Sequence, residues 1–232
     1  KIQTIHSFCA SLLRRFPLEA GVSPQFSEME DRAATMLRAE VVDHMAQSAQ
    51  ASVVEAASYY IGGLDFDDLT ADICRRQADF NPDLDHDGLA AVFDLPEGYD
   101  LDALKADVFL GNERDILNRT IAMLQTGGKQ DNKDAERLAL LGEISIENLA
   151  QLERVFLYAT GEKAGQAKIG RFPTKKLQAD HPELMDQLEP FMARVELARP
   201  RRLALEAIGK SRALHDFARV FLPEYERRKQ AR

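Results

Sequence analysis

The sequence predicts an all-α fold built as an irregular bundle of many helices. Apolar residues recur every three or four positions through most of the chain, as on the buried face of a helix. Alternation of β-branched and polar residues, the pattern of a strand, is scarce. With 232 residues, of which 45% are hydrophobic, the chain has enough material for one large or two small cores.

The elements follow from caps and breakers. A short extended segment, residues 2–5, leads into a helical stretch in which Phe8, Leu12 and Phe16 share a face. Ser27 and Glu30 form a capping-box pattern that predicts a helix to about residue 47. Further helices are predicted over residues 52–61, 65–80, 100–109, 112–125, 133–141 and 146–158. Long helices, interrupted by Pro190, Pro200 and Pro223, are expected from residue 182 to the end.

Thr4, His6 and Ser7 lie together where the extended segment gives way to the first helix. Hydroxyls, an imidazole and uncapped backbone N–H groups at such a corner suit a phosphate oxygen. The alternative is a simple N-cap, in which Thr4 or Ser7 satisfies the first turn and His6 lies on the surface. The residues alone leave both interpretations open.

Three segments carry a family resemblance: residues 4–26, which begin TIHSF; residues 172–177 with 181–184, FPTKKL and HPEL; and residues 217–232. They are similar, in the same order, to segments of superfamily 1 DNA helicases of the UvrD and RecB group, and most of all to AddA-type helicase subunits. The resemblance implies that residues 1–20 end a motor segment. Residues 21–232 would then form the inserted helical 1B accessory domain. It also implies that Thr4, His6, Ser7 and Phe8 contact single-stranded DNA.

The resemblance further implies a parent enzyme that uses ATP and Mg²⁺ to move 3′-to-5′ along single-stranded DNA. With an AddB-like nuclease subunit, such a parent unwinds and degrades broken ends in double-strand break repair and recombination. The chain is therefore expected to be a fragment of such a parent, and it has no phosphate loop of its own. Gly209-Lys210-Ser211 lacks the required first glycine, since Ala204 stands there, and its surroundings predict continuous helix. We therefore expect the fragment alone to hold no cofactor and to hydrolyse no ATP.

The charge is unevenly distributed along the chain. Residues 1–159 carry a net charge of −14, and residues 160–232 a net charge of +6, from the sequence total of −8. Such asymmetry is typical of a nucleic-acid face on one part of a protein. A loop rich in glycine and proline concentrates the cations Lys163, Lys168, Arg171, Lys175 and Lys176. This loop is expected to be flexible and to bind phosphates of a duplex or junction. A loop whose cations only serve solubility is the alternative.

An acidic, Pro- and Gly-containing segment, residues 81–100, contains the spacing of a calcium loop: Asp83, Asp85, Asp87 and Gly88, with Asp94 last. Asp is a shorter final ligand than Glu, and Pro96 cuts off the helix that should follow. We therefore expect an acidic turn and predict no metal site, although ion binding by these aspartates stays open. His44 and the pair His86-Asp87 could suggest a helical metal phosphohydrolase, but their settings favour structural roles.

Another function class remains open: a helical module that docks a partner subunit without touching DNA. Its acidic first half could supply that surface. No run of eighteen apolar residues and no signal peptide is present, which predicts a cytoplasmic protein that does not span a membrane.

Overall fold

A computed structural model describes residues 4–20, 26, 29–61, 66–80, 86–142 and 144–231. Within these residues the regular structure is helical, apart from one isolated antiparallel bridge between Leu157 and Ala167. The predicted all-α class is confirmed. None of the helices in the described ranges is both long enough and apolar enough to cross a membrane.

The α-helices in the described residues are α1 Ile5–Arg15, α2 Asp31–Ala46, α3 Ala51–Ile61, α4 Phe66–Arg75, α5 His86–Val92, α6 Leu101–Val108, α7 Glu113–Gln125, α8 Lys129–Ala139, α9 Leu149–Phe156, α10 Lys175–Asp180 and α11 Pro182–Gln230. Short 3₁₀ turns cover Gln77–Phe80 and Ile146–Asn148. The chain divides into two compact units. Unit 1 contains residues 1–84 and 209–232, and unit 2 contains residues 85–208. The motor boundary at residue 20 stays a prediction.

The core of unit 1 forms where α2 and α4 meet the last part of α11. Leu37, Val41 and Met45 recur every four residues on one face of α2 and are buried. Phe217 and Phe221 of α11 belong to the same cluster, with ring centroids 5.6 Å apart in a stacked arrangement. The predicted start of α2 differs slightly, because Glu30 occupies the N-cap position and Ser27 lies outside the described residues.

The core of unit 2 is centred on three aromatic rings. Phe156 at the end of α9 packs edge-on against Phe191 of α11 at 5.6 Å, and Phe172 lies 5.7 Å from Phe156. All three side chains are buried in one continuous apolar cluster. Phe172 lies in the segment that carries the predicted basic residues, so the core fixes the position of this part of the chain.

The prediction that prolines interrupt the last segment is wrong, since α11 runs unbroken from Pro182 to Gln230. Pro190, Pro200 and Pro223 are all exposed. On that side of a helix, the carbonyl oxygen left without its N–H partner can bond to water, which reduces the cost of an internal proline. Packing of the opposite face supplies the remaining stability.

Other helix boundaries also differ from the prediction. The helix expected over residues 133–141 begins four residues earlier, at Lys129, because Gly128 and Asp131 form a capping arrangement. The helix expected to reach residue 158 ends at Phe156, because Leu157 pairs with Ala167. Short helices α5 and α10 occupy segments that the glycines and prolines predicted as loop.

Candidate nucleic-acid interface

The first predicted contact region is the start of α1, and its geometry is that of an N-cap. Thr4 is extended, and its Oγ1 accepts a hydrogen bond from the Ser7 backbone N–H at 3.2 Å. The same hydroxyl donates to Ser7 Oγ at 3.1 Å. Helix geometry therefore begins at Ile5, while Ile2 and the His6 side chain lie outside the described part of the chain. Both hydroxyls are exposed, so the cap leaves them accessible to a ligand.

Phe8 belongs to an exposed apolar face of α1. Ile5, Phe8, Leu12 and Phe16 are 79%, 58%, 48% and 45% exposed, and their spacing places them on one side of the helix. A large exposed apolar patch commonly marks an interaction site. The Phe8 ring is accessible to a base or to a protein surface.

The second predicted region, which we call the basic loop (residues 158–174), is held by its own backbone. The Tyr158 N–H donates to the Gln166 carbonyl oxygen at 3.0 Å, and the Gly165 N–H donates to the Tyr158 carbonyl oxygen at 2.8 Å. Gly165 has φ of 85°, a conformation that favours glycine. The glycines of this loop therefore serve defined turns, while its expected flexibility stays a prediction.

Two carboxylates of α11 fasten the same loop from the side. Glu196 Oε2 accepts a hydrogen bond from the Ala167 N–H at 2.8 Å, and Glu189 Oε1 accepts one from the Gly170 N–H at 3.0 Å. Hydrogen bonds to ionised acceptors are stronger than neutral ones. Thus cations on the loop project from a fixed backbone.

Asp131 fixes the end of the basic loop and the start of α10. Asp131 is only 3% exposed. One oxygen of its carboxylate accepts hydrogen bonds from the Gly128 N–H and from the Thr174 hydroxyl, each at 3.0 Å. The Thr174 N–H donates to the other oxygen at 3.2 Å. One buried aspartate therefore joins the first turn of α8 to the residue that precedes Lys175.

The five predicted cations of this region fall into two groups. Those with exposed side chains are Lys163, Arg171, Lys175 and Lys176. In the described residues these four form no ion pair with a carboxylate. Lys168 differs, because it is half-buried and its Nζ donates to the Val155 carbonyl oxygen at 2.6 Å. Burial lowers the pKa of Lys168, and the negative charge of Asp134 partly offsets this shift.

Three arginines of α11 in unit 2, Arg194, Arg199 and Arg202, bind buried carboxylates instead. Glu153, whose side chain is 3% exposed, accepts from Arg202 at 2.7 and 3.0 Å and from Arg199 at 3.1 Å. Glu113, equally buried, accepts from Arg194 at 2.7 Å. These are the charge-assisted contacts for which the planar guanidinium is suited. Two buried carboxylates thus hold three guanidinium groups within the fold.

Backbone groups complete the environment of Glu113. Its two oxygens accept from the Leu110 and Gly111 N–H groups, both at 2.9 Å. Burial favours the neutral acid, but these hydrogen bonds together with the charge of Arg194 outweigh it, so the pKa of Glu113 is lowered. The carboxylate thereby organises the turn before α7.

The candidate phosphate loop at Gly209-Lys210-Ser211 lies inside α11, as the sequence predicted. A Cβ on Gly209 would lie 2.5 Å from Tyr60 Oη. A side chain at this position would displace the tyrosine hydroxyl, and the helical geometry does not form a cradle for phosphate.

The acidic segment does not present the geometry of a calcium loop where it is described. Asp83 and Asp85 lie outside the described residues, as does the side chain of Asp87. The backbone of Asp87 and Gly88 is helical, within α5, whereas a calcium loop places a sharp turn at this glycine. His44 is exposed on α2, and no group of three potential metal ligands occurs among the described side chains.

Sequence reasoning missed three cations on α8: Lys129, Lys133 and Arg137. All three are exposed, and they lie at intervals of four residues. The four-residue spacing of these cations is visible in the sequence. However, the predicted helix began at Lys133, so Lys129 was not recognised as part of the same helix face. Three acidic residues in the same segment also concealed the pattern.

In comparisons with protein-family models, with curated proteins and with solved structures, nothing matches this chain.

Proposed function

We propose that this chain is a DNA-binding accessory domain of an ATP-dependent helicase subunit that acts on broken DNA ends. The observation that carries the proposal is the group of exposed cations without an ion pair: Lys163, Arg171, Lys175 and Lys176. They project from a basic loop and a helix start that backbone hydrogen bonds and Asp131 hold in place. Lysine and arginine that keep their charge available can neutralise phosphates and release counterions.

The helicase context of the proposal comes from the resemblance. Thr4 and Ser7 are accessible at the start of α1, and the FPTKKL segment coincides with the loop end that Asp131 fixes. By this proposal the parent binds ATP and Mg²⁺ through segments other than those described. It also works with an AddB-like nuclease subunit, and this domain grips the duplex or junction.

The test is salt-dependent binding of a labelled duplex with a 3′ single-stranded tail, followed by fluorescence anisotropy. In the variant with Lys163, Arg171, Lys175 and Lys176 all changed to alanine, we expect the slope of log K against log salt to flatten by about 3 to 4 units. Misfolding lowers the active fraction without changing this slope. An unchanged slope would overturn the proposal.

A matched control removes charge elsewhere. Arg32→Ala with Arg76→Ala changes two exposed cations of unit 1, which the proposal leaves outside the DNA surface. We expect the slope of this control to equal that of the unmodified chain. If the slope flattens by the same amount per removed charge in both variants, the measurement reports only the net charge of the protein.

Protein docking is the second candidate function, and the exposed apolar face of α1 favours it. Changing Phe8 and Leu12 to serine would then abolish binding of the nuclease subunit in a pull-down, while the DNA salt slope stays the same. If the unmodified chain binds that subunit but no DNA, docking replaces DNA binding as the function.

A further inference from the structure

Helix α8 presents a row of cations next to the basic loop. Lys129, Lys133 and Arg137 lie four residues apart and are exposed. Successive members of such a row share one face of a helix. With a rise of 1.5 Å per residue, the row extends about 12 Å along the helix axis.

The acidic residues of α8 largely face inward. Asp131 is buried and accepts hydrogen bonds from Gly128 and Thr174, as described above. Asp134 is 5% exposed and accepts from Gln130 at 3.0 Å and from Arg137 at 2.9 Å. Only Glu136 among the acids of this helix is exposed. A segment with balanced charges in the sequence therefore displays a positive surface.

Asp131 connects α8 with the basic loop. Its carboxylate joins α8 to Thr174, directly before Lys175 and Lys176. Burial lowers the pKa of Lys168, and among the charges of α8 Asp134 raises it and Arg137 lowers it. The cations of α8 thus adjoin those already assigned to DNA binding.

We propose that Lys129, Lys133 and Arg137 form a second phosphate-binding row that extends the DNA surface along α8. The ligand is the phosphodiester backbone of a nucleic-acid strand. Phosphates of one strand in a duplex follow each other every 3.4 Å along the axis, so a row of about 12 Å spans three to four of them. This inference rests on the proposed function.

The row on α8 recognises the charge of the phosphates and not the base sequence. α8 contains no aromatic residue that could stack on a base, and lysine contacts to phosphates carry no sequence information. Duplexes of different sequence and equal length are therefore bound with equal affinity through this row. A marked preference for one sequence that disappears in the α8 variant would contradict backbone recognition.

The experiment compares three variants of the 232-residue chain on the tailed duplex. Changing Lys129 and Lys133 to alanine is expected to flatten the salt slope by about 2 units and to lower affinity by roughly tenfold or more at 50 mM salt. Arg137 is retained because its partner Asp134 is buried. Glu136→Gln removes the exposed acid of the same helix and is expected to raise affinity severalfold. The control is the Arg32→Ala, Arg76→Ala variant.

The outcomes separate the two proposals. If the variant of the basic loop flattens the slope but the Lys129, Lys133 variant does not, the α8 row is overturned and the proposed function stands. If the unmodified chain shows no salt-dependent DNA binding, both fail. If vesicles with 30% phosphatidylserine compete with DNA at equal phosphate concentration, about as well as unlabelled duplex does, the nucleic-acid ligand is overturned. A decrease in DNA affinity in the Glu136→Gln variant would likewise contradict phosphate binding by the α8 row.

Discussion

Two sets of cations in unit 2 differ in what they are bound to. Along α11, Arg194, Arg199 and Arg202 bind the carboxylates of Glu113 and Glu153, whose side chains are only 3% exposed. On the basic loop, α10 and α8, the exposed cations are mainly lysines, including Lys129, Lys133, Lys175 and Lys176. The first set joins elements of the fold. The lysines of the second set are available to a ligand, whereas Arg137 bonds to Asp134 of its own helix.

The chemistry of the two side chains explains this division. Guanidinium is planar and forms paired hydrogen bonds with a carboxylate, which suits buried partners. Ammonium is a compact, strongly hydrated charge that costs more to bury and is typical of solvated surfaces. The net charge of +6 over residues 160–232 therefore overstates the positive charge available to a ligand, because Arg194, Arg199 and Arg202 pair with Glu113 and Glu153 of the other segment.

The largest effect is expected for Glu153→Ala. Removing this carboxylate leaves Arg199 and Arg202 without their common partner, and breaking a buried ion pair costs about 3 kcal/mol or more. The free energy of unfolding from urea titration measures this change. The DNA salt slope of the folded fraction should stay constant, because these arginines do not contact phosphates.

The exposed Glu162 of the basic loop provides the control for that substitution. Glu162→Ala should change the unfolding free energy by less than about 0.5 kcal/mol. Were Glu153→Ala to alter the salt slope, the separation between internal and ligand-binding cations would be contradicted.

A smaller and pH-dependent effect is expected at Glu113. Its pKa in the folded state lies below the ordinary value of 4.5, so its ionised form stabilises the fold. That contribution is fully present above about pH 4.5 and is lost as the pH falls through the folded-state pKa. Glu113→Gln should therefore lower the free energy of unfolding at pH 7 and flatten its decline between pH 5 and pH 3.

Thermal unfolding across this pH range, followed by circular dichroism, provides the measurement. Glu147, another carboxyl group whose pKa is lowered, is fully exposed and gives the comparison, because solvent screens its interactions. If Glu147→Gln changes the pH dependence of stability as much as Glu113→Gln does, the internal pair of Glu113 and Arg194 has no special stabilising role.

The sequence predicted the helices well where one amphipathic face is long. α2, α3 and α7 agree with their predicted ranges to within a few residues, because their apolar spacing and flanking breakers are unambiguous. The continuous helix through Gly209-Lys210-Ser211 was also predicted correctly. Local pattern was sufficient in these cases.

Tertiary contacts decided what the sequence could not. Glycines at 161, 165 and 170 predicted flexibility, whereas Glu189 and Glu196, about twenty to thirty residues later in the chain, hold the loop. The burial of Asp131 and Asp134 likewise depends on partners that local spacing does not reveal. The candidate site could therefore be predicted at Lys163, Arg171, Lys175 and Lys176, but the different role of Lys168 and the row on α8 could not.

The smallest effect sharpens the comparison within the basic loop itself. Lys168 was predicted as a phosphate contact, but its Nζ bonds to the Val155 carbonyl oxygen. Lys168→Met keeps the apolar stem and removes one hydrogen bond, at a cost of about 1 kcal/mol in unfolding free energy. The DNA salt slope should stay constant.

Lys175→Ala, which removes an equal charge from an exposed position, should flatten the slope by about 0.9 units and leave the unfolding free energy nearly constant. If Lys168→Met flattens the slope as much as Lys175→Ala does, then Lys168 exchanges its internal hydrogen bond for a phosphate, and a cation can belong to both sets.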